Sequence, residues 1–189
     1  MKTISIVYHS GSGHTTQMAK AVAQGATSVE ETKVNLLAIT GSQIVDGRWQ
    51  DEVIMEQLNT SDAIIFGSPT YMGSVSAQFK AFIDASSAIY FTRQWKDKLA
   101  AGFTVSGSPS GDKMNALMTM FILAAQQGMI WVGLDETPGN EAGINRLGGY
   151  IGAMGQAAQE PVDVAPNQED KLTGKALGRR VAEMTQRFH

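Results

Sequence analysis

Short apolar runs alternate with helical stretches along this chain, and that alternation limits the fold more than any other feature. ISIVYH (residues 4–9), KVNLLAI (33–39), DAIIFG (62–67), KLAAGFTVS (98–106) and MIWVGL (129–134) read as strands. Their apolar residues are nearly continuous, as expected for strands covered on both faces. Residues 13–26, 50–61, 74–90, 113–128 and 167–188 carry helical patterns. Ser74 or Ser76 is the expected cap of the third helix, Asn167 that of the last, and Gly128 closes the fourth. Residues 41–50 and 135–166 read as loops, the second Gly-rich and without a period. Strand-helix alternation of this kind folds as a parallel sheet with helices on both faces. With no repeat, linker or low-complexity tract, the 189 residues are expected to form one domain.

In such a sheet, ligands sit beyond the carboxyl ends of the strands, where the strand order reverses. Three strands end there in small, hydroxyl-rich loops. The first carries Ser10, Gly11, Ser12, Gly13, His14 and Thr15 directly before a helix. Its hydroxyls, its glycines and the free N–H groups of the helix N-terminus make a charge-free phosphate cradle. The same residues would also serve an ordinary capped turn. It is not a P-loop, since no Gly-Lys-Ser/Thr follows, and Thr16 stands where a dinucleotide fingerprint needs its third glycine. The second loop holds Pro69, Thr70, Tyr71, Met72 and Gly73, read as a tight turn whose aromatic and Met can cover a flat ring. A plain turn with a stacked tyrosine fits equally. The third holds Ser106, Gly107, Ser108, Pro109, Ser110 and Gly111.

Composition narrows the chemistry. There is no cysteine, hence no disulfide, thiolate metal site or cysteine nucleophile. Three histidines and scattered carboxylates give no metal-ligand spacing. A net charge of −3 argues against a nucleic-acid partner. The longest apolar stretch, around residues 114–125, is too short to span a bilayer, and no signal-peptide pattern opens the chain, so a cytoplasmic protein is expected. That stretch is apolar nearly all round, which suits core plus a subunit interface. Trp49 and Trp95 read as loop anchors.

SGSGHT, DAIIFGSPTYMGSVSAQFKAFID, KLAAGFTVSGSPSG and AAQQGMIWVG together resemble the flavodoxin-like FMN proteins over residues 4–134. The resemblance is closer to the WrbA-type NAD(P)H:quinone oxidoreductases. It implies a flavodoxin-like, doubly wound, five-stranded parallel sheet of order 2-1-3-4-5 in three layers, which makes the three loops neighbours. It further implies that residues 10–15 hold the FMN phosphate, residues 69–73 flank the isoalloxazine ring, and residues 106–111 line its pyrimidine edge. NADH or NADPH would be the donor, and a quinone or other small acceptor the oxidant, with FMN rather than a side chain carrying the catalysis. WrbA-type proteins carry a tryptophan near the flavin where Tyr90 aligns, a histidine from a neighbouring subunit where Gln127 aligns, and a tyrosine in place of Ser12. They are typically tetramers, so a homodimer or homotetramer is expected. A flavodoxin-type one-electron carrier, an FMN reductase and a flavin-binding regulatory protein share the fold and stay open.

Overall fold

The computed structural model describes residues 1–188. Strands β1 (Lys2–His9), β2 (Thr32–Ile39), β5 (Ala63–Tyr71) and β7 (Leu99–Ser106) are the long members of the main sheet, with β8 (Ile130–Trp131), β9 (Ala153–Gln156) and β6 (Ser74–Val75) as short ones. The order is β2-β1-β5-β7-β8, parallel along that path, with β9 also parallel to β7 and β6 antiparallel to β5. This is the expected flavodoxin-like order. In register, Ile4 of β1 lies beside Val34 of β2 and Ala63 of β5.

Period-two alternation sends each strand's side chains to two cores. Ile4, Ile6, Ile65 and Phe103 point toward α1 (His14–Thr27) and α6 (Gln168–Phe188) and pack with Met18, Val22, Leu177 and Val181. Val7, Ile64, Phe66 and Ala100 face the other way, toward α2 (Glu52–Asn59), α3 (Ala77–Ala85) and α5 (Lys113–Gln126). There Phe66, Phe79, Phe82 and Trp95 form a continuous aromatic cluster, with ring centroids 5.5–6.4 Å apart. α1 and α6 lie backbone against backbone: a Cβ on Gly25 would sit 2.8 Å from Lys175 Cα, and one on Gly178 would sit 2.9 Å from Ala26 N.

Four elements differ from the sequence reading. The fifth sheet position is filled by two strands, β8 beside Leu99 and Ala100 and β9 beside Phe103–Ser106, so residues 132–152 form an insertion within one strand position. The third helix breaks at Ser86, whose hydroxyl bonds back to Ile83 O at 2.7 Å; α4 (Ser87–Thr92) restarts there. β5 does not stop at Gly67 but runs through Pro69 to Tyr71. Residues 41–50 contain a 3₁₀ turn and the hairpin of β3 (Ile44–Val45) and β4 (Arg48–Trp49), which buries Trp49. The caps Ser76 and Asn167 are as expected, accepting from Phe79 N and Asp170 N. No helix among the described residues is long and apolar enough to cross a membrane, and none of their His, Asp and Glu side chains cluster to hold a metal.

Candidate functional site

The first loop is shaped by Gly13, which caps α1 at φ 95, a backbone angle that only glycine adopts without strain. Ser10 Oγ accepts from Gly13 N at 3.1 Å and Thr16 N at 3.3 Å, closing the loop on itself. The N–H groups of Ser12, His14 and Thr15 then have no acceptor among the described residues. Thr15 is 2% exposed, yet its hydroxyl makes no hydrogen bond there. The only buried side-chain polar atom without a partner among the described residues is Gln127 Oε1, so the Thr15 oxygen still reaches solvent. Free N–H groups, an uncommitted hydroxyl and the positive end of α1 suit a phosphate monoester.

His14 belongs to the loop's frame. Its Nε2–H donates to Glu160 O at 2.8 Å, a carbonyl that can only accept, so in the neutral imidazole Nδ1 accepts from the Ser12 hydroxyl at 3.0 Å. Segment 157–163 therefore closes against the first loop, with Val162 Cγ1 placed 2.9 Å from where a Cβ on Gly13 would lie. Backbone N–H groups, its own first and then that of Ala158, hold the Glu160 carboxyl below its ordinary range. Residues 157–163 have no apolar period, so nothing local in the sequence marks their part in the site.

Residues 69–73 are a strand end and hairpin turn rather than a free loop. Pro69 and Thr70 lie within β5, and Thr70 Oγ1 meets Thr104 Oγ1 at 2.7 Å in the core. The turn falls on Met72 (φ 47) and Gly73 (φ 77), the two positive angles that match the twist of a tight hairpin. Met72 stands wholly exposed at the tip. The Tyr71 ring packs over Gly11, with Cζ 3.3 Å from a Cβ placed there. Asn115 of α5 donates to Gly73 O at 2.7 Å. The three loops thus come together: the second touches the first through Tyr71 and the third through the start of α5.

The third loop folds around Lys113. This side chain is 1% exposed, and its ammonium donates to Ser106 Oγ at 2.6 Å, Ser108 O at 2.7 Å and Pro109 O at 2.9 Å. Burial pushes its pKa down to about 8, the Asp170 carboxylate opposing and the Arg146 guanidinium adding to the shift. Arg146 itself grips the fully buried Asp170 bidentately, Nε to Oδ1 at 2.8 Å and Nη2 to Oδ2 at 3.0 Å. That pair ties the inserted segment to α6. Beside it, Pro109, Ser110, Met114, Arg146, Tyr150 and Met154 help to wall a pocket of about 650 Å3.

Tyr90 and Gln127 are not brought to these loops. They share a separate pocket of about 480 Å3 with Phe91 and Arg93. Gln127 caps the far end of α5, about 20 Å of helix from the third loop.

Residues 4–136 match the family model described as NADPH-dependent FMN reductase. The chain belongs to that family. It is 40% identical to the flavodoxin FldP of Pseudomonas aeruginosa over 195 residues, covering 100% of both chains. It is 34% identical over 201 residues to an NAD(P)H dehydrogenase (quinone) of Archaeoglobus fulgidus, again covering 100% of each. A solved structure titled as a flavodoxin, WrbA-like protein from Agrobacterium tumefaciens superposes with a TM-score of 0.77 at 39% identity, with 100% of both chains covered. The protein is a flavodoxin-like, WrbA-type FMN oxidoreductase, and the chemistry of the three loops fits that cofactor.

Proposed function

We propose that the protein passes two electrons from NAD(P)H, through FMN seated on the three loops, to a quinone. The observation that carries this reading over the alternatives is the pocket of about 650 Å3 against the third loop, lined by Met114, Tyr150, Ile151 and Met154. It is large and apolar enough for a small aromatic acceptor, whereas a pure electron carrier needs only an exposed flavin edge. Bound FMN supplies the redox chemistry. The chain supplies the seat. Ser12, His14 and Thr15 offer N–H groups to the phosphate, Tyr71 and Met72 flank the ring, and Ser110 and Gly111 address its polar edge. Protons come from solvent, and the half-exposed Tyr71 phenol serves the ring as a flanking surface rather than as an acid. Asp112 is the nearest carboxylate in the sequence, and its Cβ lies 3.7 Å from a Cβ placed on Gly73, where it shapes the pocket wall.

A second reading is favoured by one observation, the 40% identity with a protein named flavodoxin over the full length of both chains. The two readings separate in one anaerobic experiment on FMN-loaded protein. Rapid loss of flavin absorbance with NADH or NADPH, followed by recovery on adding a benzoquinone, supports the oxidoreductase. No loss with either nucleotide, with dithionite reducing the flavin in two separate one-electron waves, supports the carrier. We further propose a homodimer or homotetramer formed through the exposed apolar residues Phe91, Met114 and Ile122. Light scattering after gel filtration tests this, and a monomer at working concentration would contradict it.

A further inference from the structure

The third loop is held by one side chain. Lys113 opens α5, and three of its neighbours are successive loop carbonyls: Ser108 at 2.7 Å, Pro109 at 2.9 Å and Ser110 at 3.4 Å. The C=O and N–H of one trans peptide point in opposite directions. Drawing the carbonyls of Pro109 and Ser110 onto the ammonium therefore turns the N–H groups of Ser110 and Gly111 away from it. Neither N–H has an acceptor among the described residues. The turn that follows needs positive φ at Gly111 (54) and Asp112 (53), and a Cβ on Gly111 would press into Ser106. Outward N–H groups backed by a buried cation form a concavity for an electron-rich ligand atom. A lysine side chain at the first residue of a helix can extend freely into solvent; it is the loop's fold over its own helix that buries this one.

We propose that Lys113 is a positioning residue for FMN: its ammonium holds residues 106–111 in the form that receives the electron-rich edge of the flavin ring, so FMN affinity depends on whether Lys113 carries its proton. The inference rests on FMN occupying the three loops. Charge reaches Lys113 from two other elements, the carboxylate of Asp170 on α6 and the guanidinium of Arg146 in the inserted segment. β7 and the loop present it with the Ser106 hydroxyl and carbonyl oxygens, and Asp112 precedes it in the chain.

The sign follows from linkage. In the free protein burial sets the Lys113 pKa at about 8. A ligand that prefers the ammonium-held loop raises that pKa. Affinity is therefore full below pH 8 and falls as pH rises above it. The test is the FMN dissociation constant, from quenching of flavin fluorescence, for the wild type and Lys113→Met between pH 7.5 and 9. One linked proton with a free-state pKa of about 8 predicts a wild-type constant that rises about eightfold over this range. Lys113→Met should bind more weakly at pH 7.5 and show no such rise. A second readout, independent of any variant, is the NMR titration of protein labelled at lysine Cε with 13C. The Lys113 signal should titrate near pH 8 without FMN and at higher pH with it. Lys98, also displaced downward by burial but at the opposite end of β7, should not respond to FMN. A pH-independent wild-type constant, a Lys113 midpoint unmoved by FMN, or a folded Lys113→Met with unchanged affinity overturns the inference. Absence of FMN binding at every pH overturns instead the FMN seat on which it rests. If Lys113→Met does not fold, the wild-type series and the NMR titration still decide.

Discussion

Replacing Gly178 with alanine tests how the helix that carries the first loop is seated. A Cβ at this position would lie 2.9 Å from both Ala26 N and Val22 C, and closer still to the Val22 carbonyl oxygen. All three are backbone atoms of α1, so no side chain can rotate away. Ordinary contact begins at 3.4 Å, and clearing the Val22 carbonyl oxygen requires α1 and α6 to part by more than about an ångström. Alanine favours the helix over glycine by about 1 kcal/mol, but overpacking of two backbones outweighs that, for a net loss of about 3 kcal/mol. For a chain of this length, the melting temperature should fall by roughly 6–12 °C. Gly174→Ala is the internal control, one turn away on the same helix. Its Cβ would meet the flexible Met18 Sδ at 3.0 Å and Ala21 Cβ at 3.4 Å, so it should stay within about 1 kcal/mol of wild type. Urea unfolding of the three proteins measures the differences. A Gly178→Ala variant within about 0.5 kcal/mol of wild type, or a Gly174→Ala variant equally destabilised, would refute the packing argument.

Thr15→Val should weaken FMN binding roughly tenfold to a hundredfold, the worth of one hydrogen bond to a charged group, while leaving the urea midpoint unchanged; fluorescence quenching reads the first and circular dichroism the second. Arg146→Met strands the buried Asp170 carboxylate with the single N–H of Gln156 at 2.8 Å, and should cost about 3 kcal/mol in urea unfolding. His9 is buried with Nδ1 2.8 Å from Ser76 Oγ, and burial lowers its pKa. The unfolded chain therefore binds a proton first as pH falls through about 6.5. Its contribution to stability is whole above that pH and is lost below it, at up to about 1.4 kcal/mol per pH unit. His9→Gln should flatten that part of the stability–pH curve, and an unchanged slope would show that another group titrates there.

The parts of the fold that announce themselves locally were legible in the sequence. The apolar runs placed β1, β2, β5 and β7, and Ser76 and Asn167 marked their helices, because each rests on neighbours in the chain. β9 did not show because AMGQ has no apolar period of its own and is a strand only through its pairing with Phe103–Ser106. β5 read short because Pro69 signals a break, although at the sheet's end the missing N–H costs little. The three loops were visible as composition, but Lys113 was not, since its burial comes from the loop folding back over the helix. The Arg146–Asp170 pair joins segments far apart in sequence, and nothing local pairs them. Tyr90 and Gln127 entered through a family resemblance, and within this chain they lie in a pocket of their own.

The most direct test of the account is a crystal structure of the protein with FMN bound. The phosphate should lie within hydrogen-bond distance of the N–H groups of Ser12, His14 and Thr15, and the ring edge against Ser110 and Gly111 beside Tyr71. A flavin seated elsewhere, or a phosphate held outside the first loop, would contradict it.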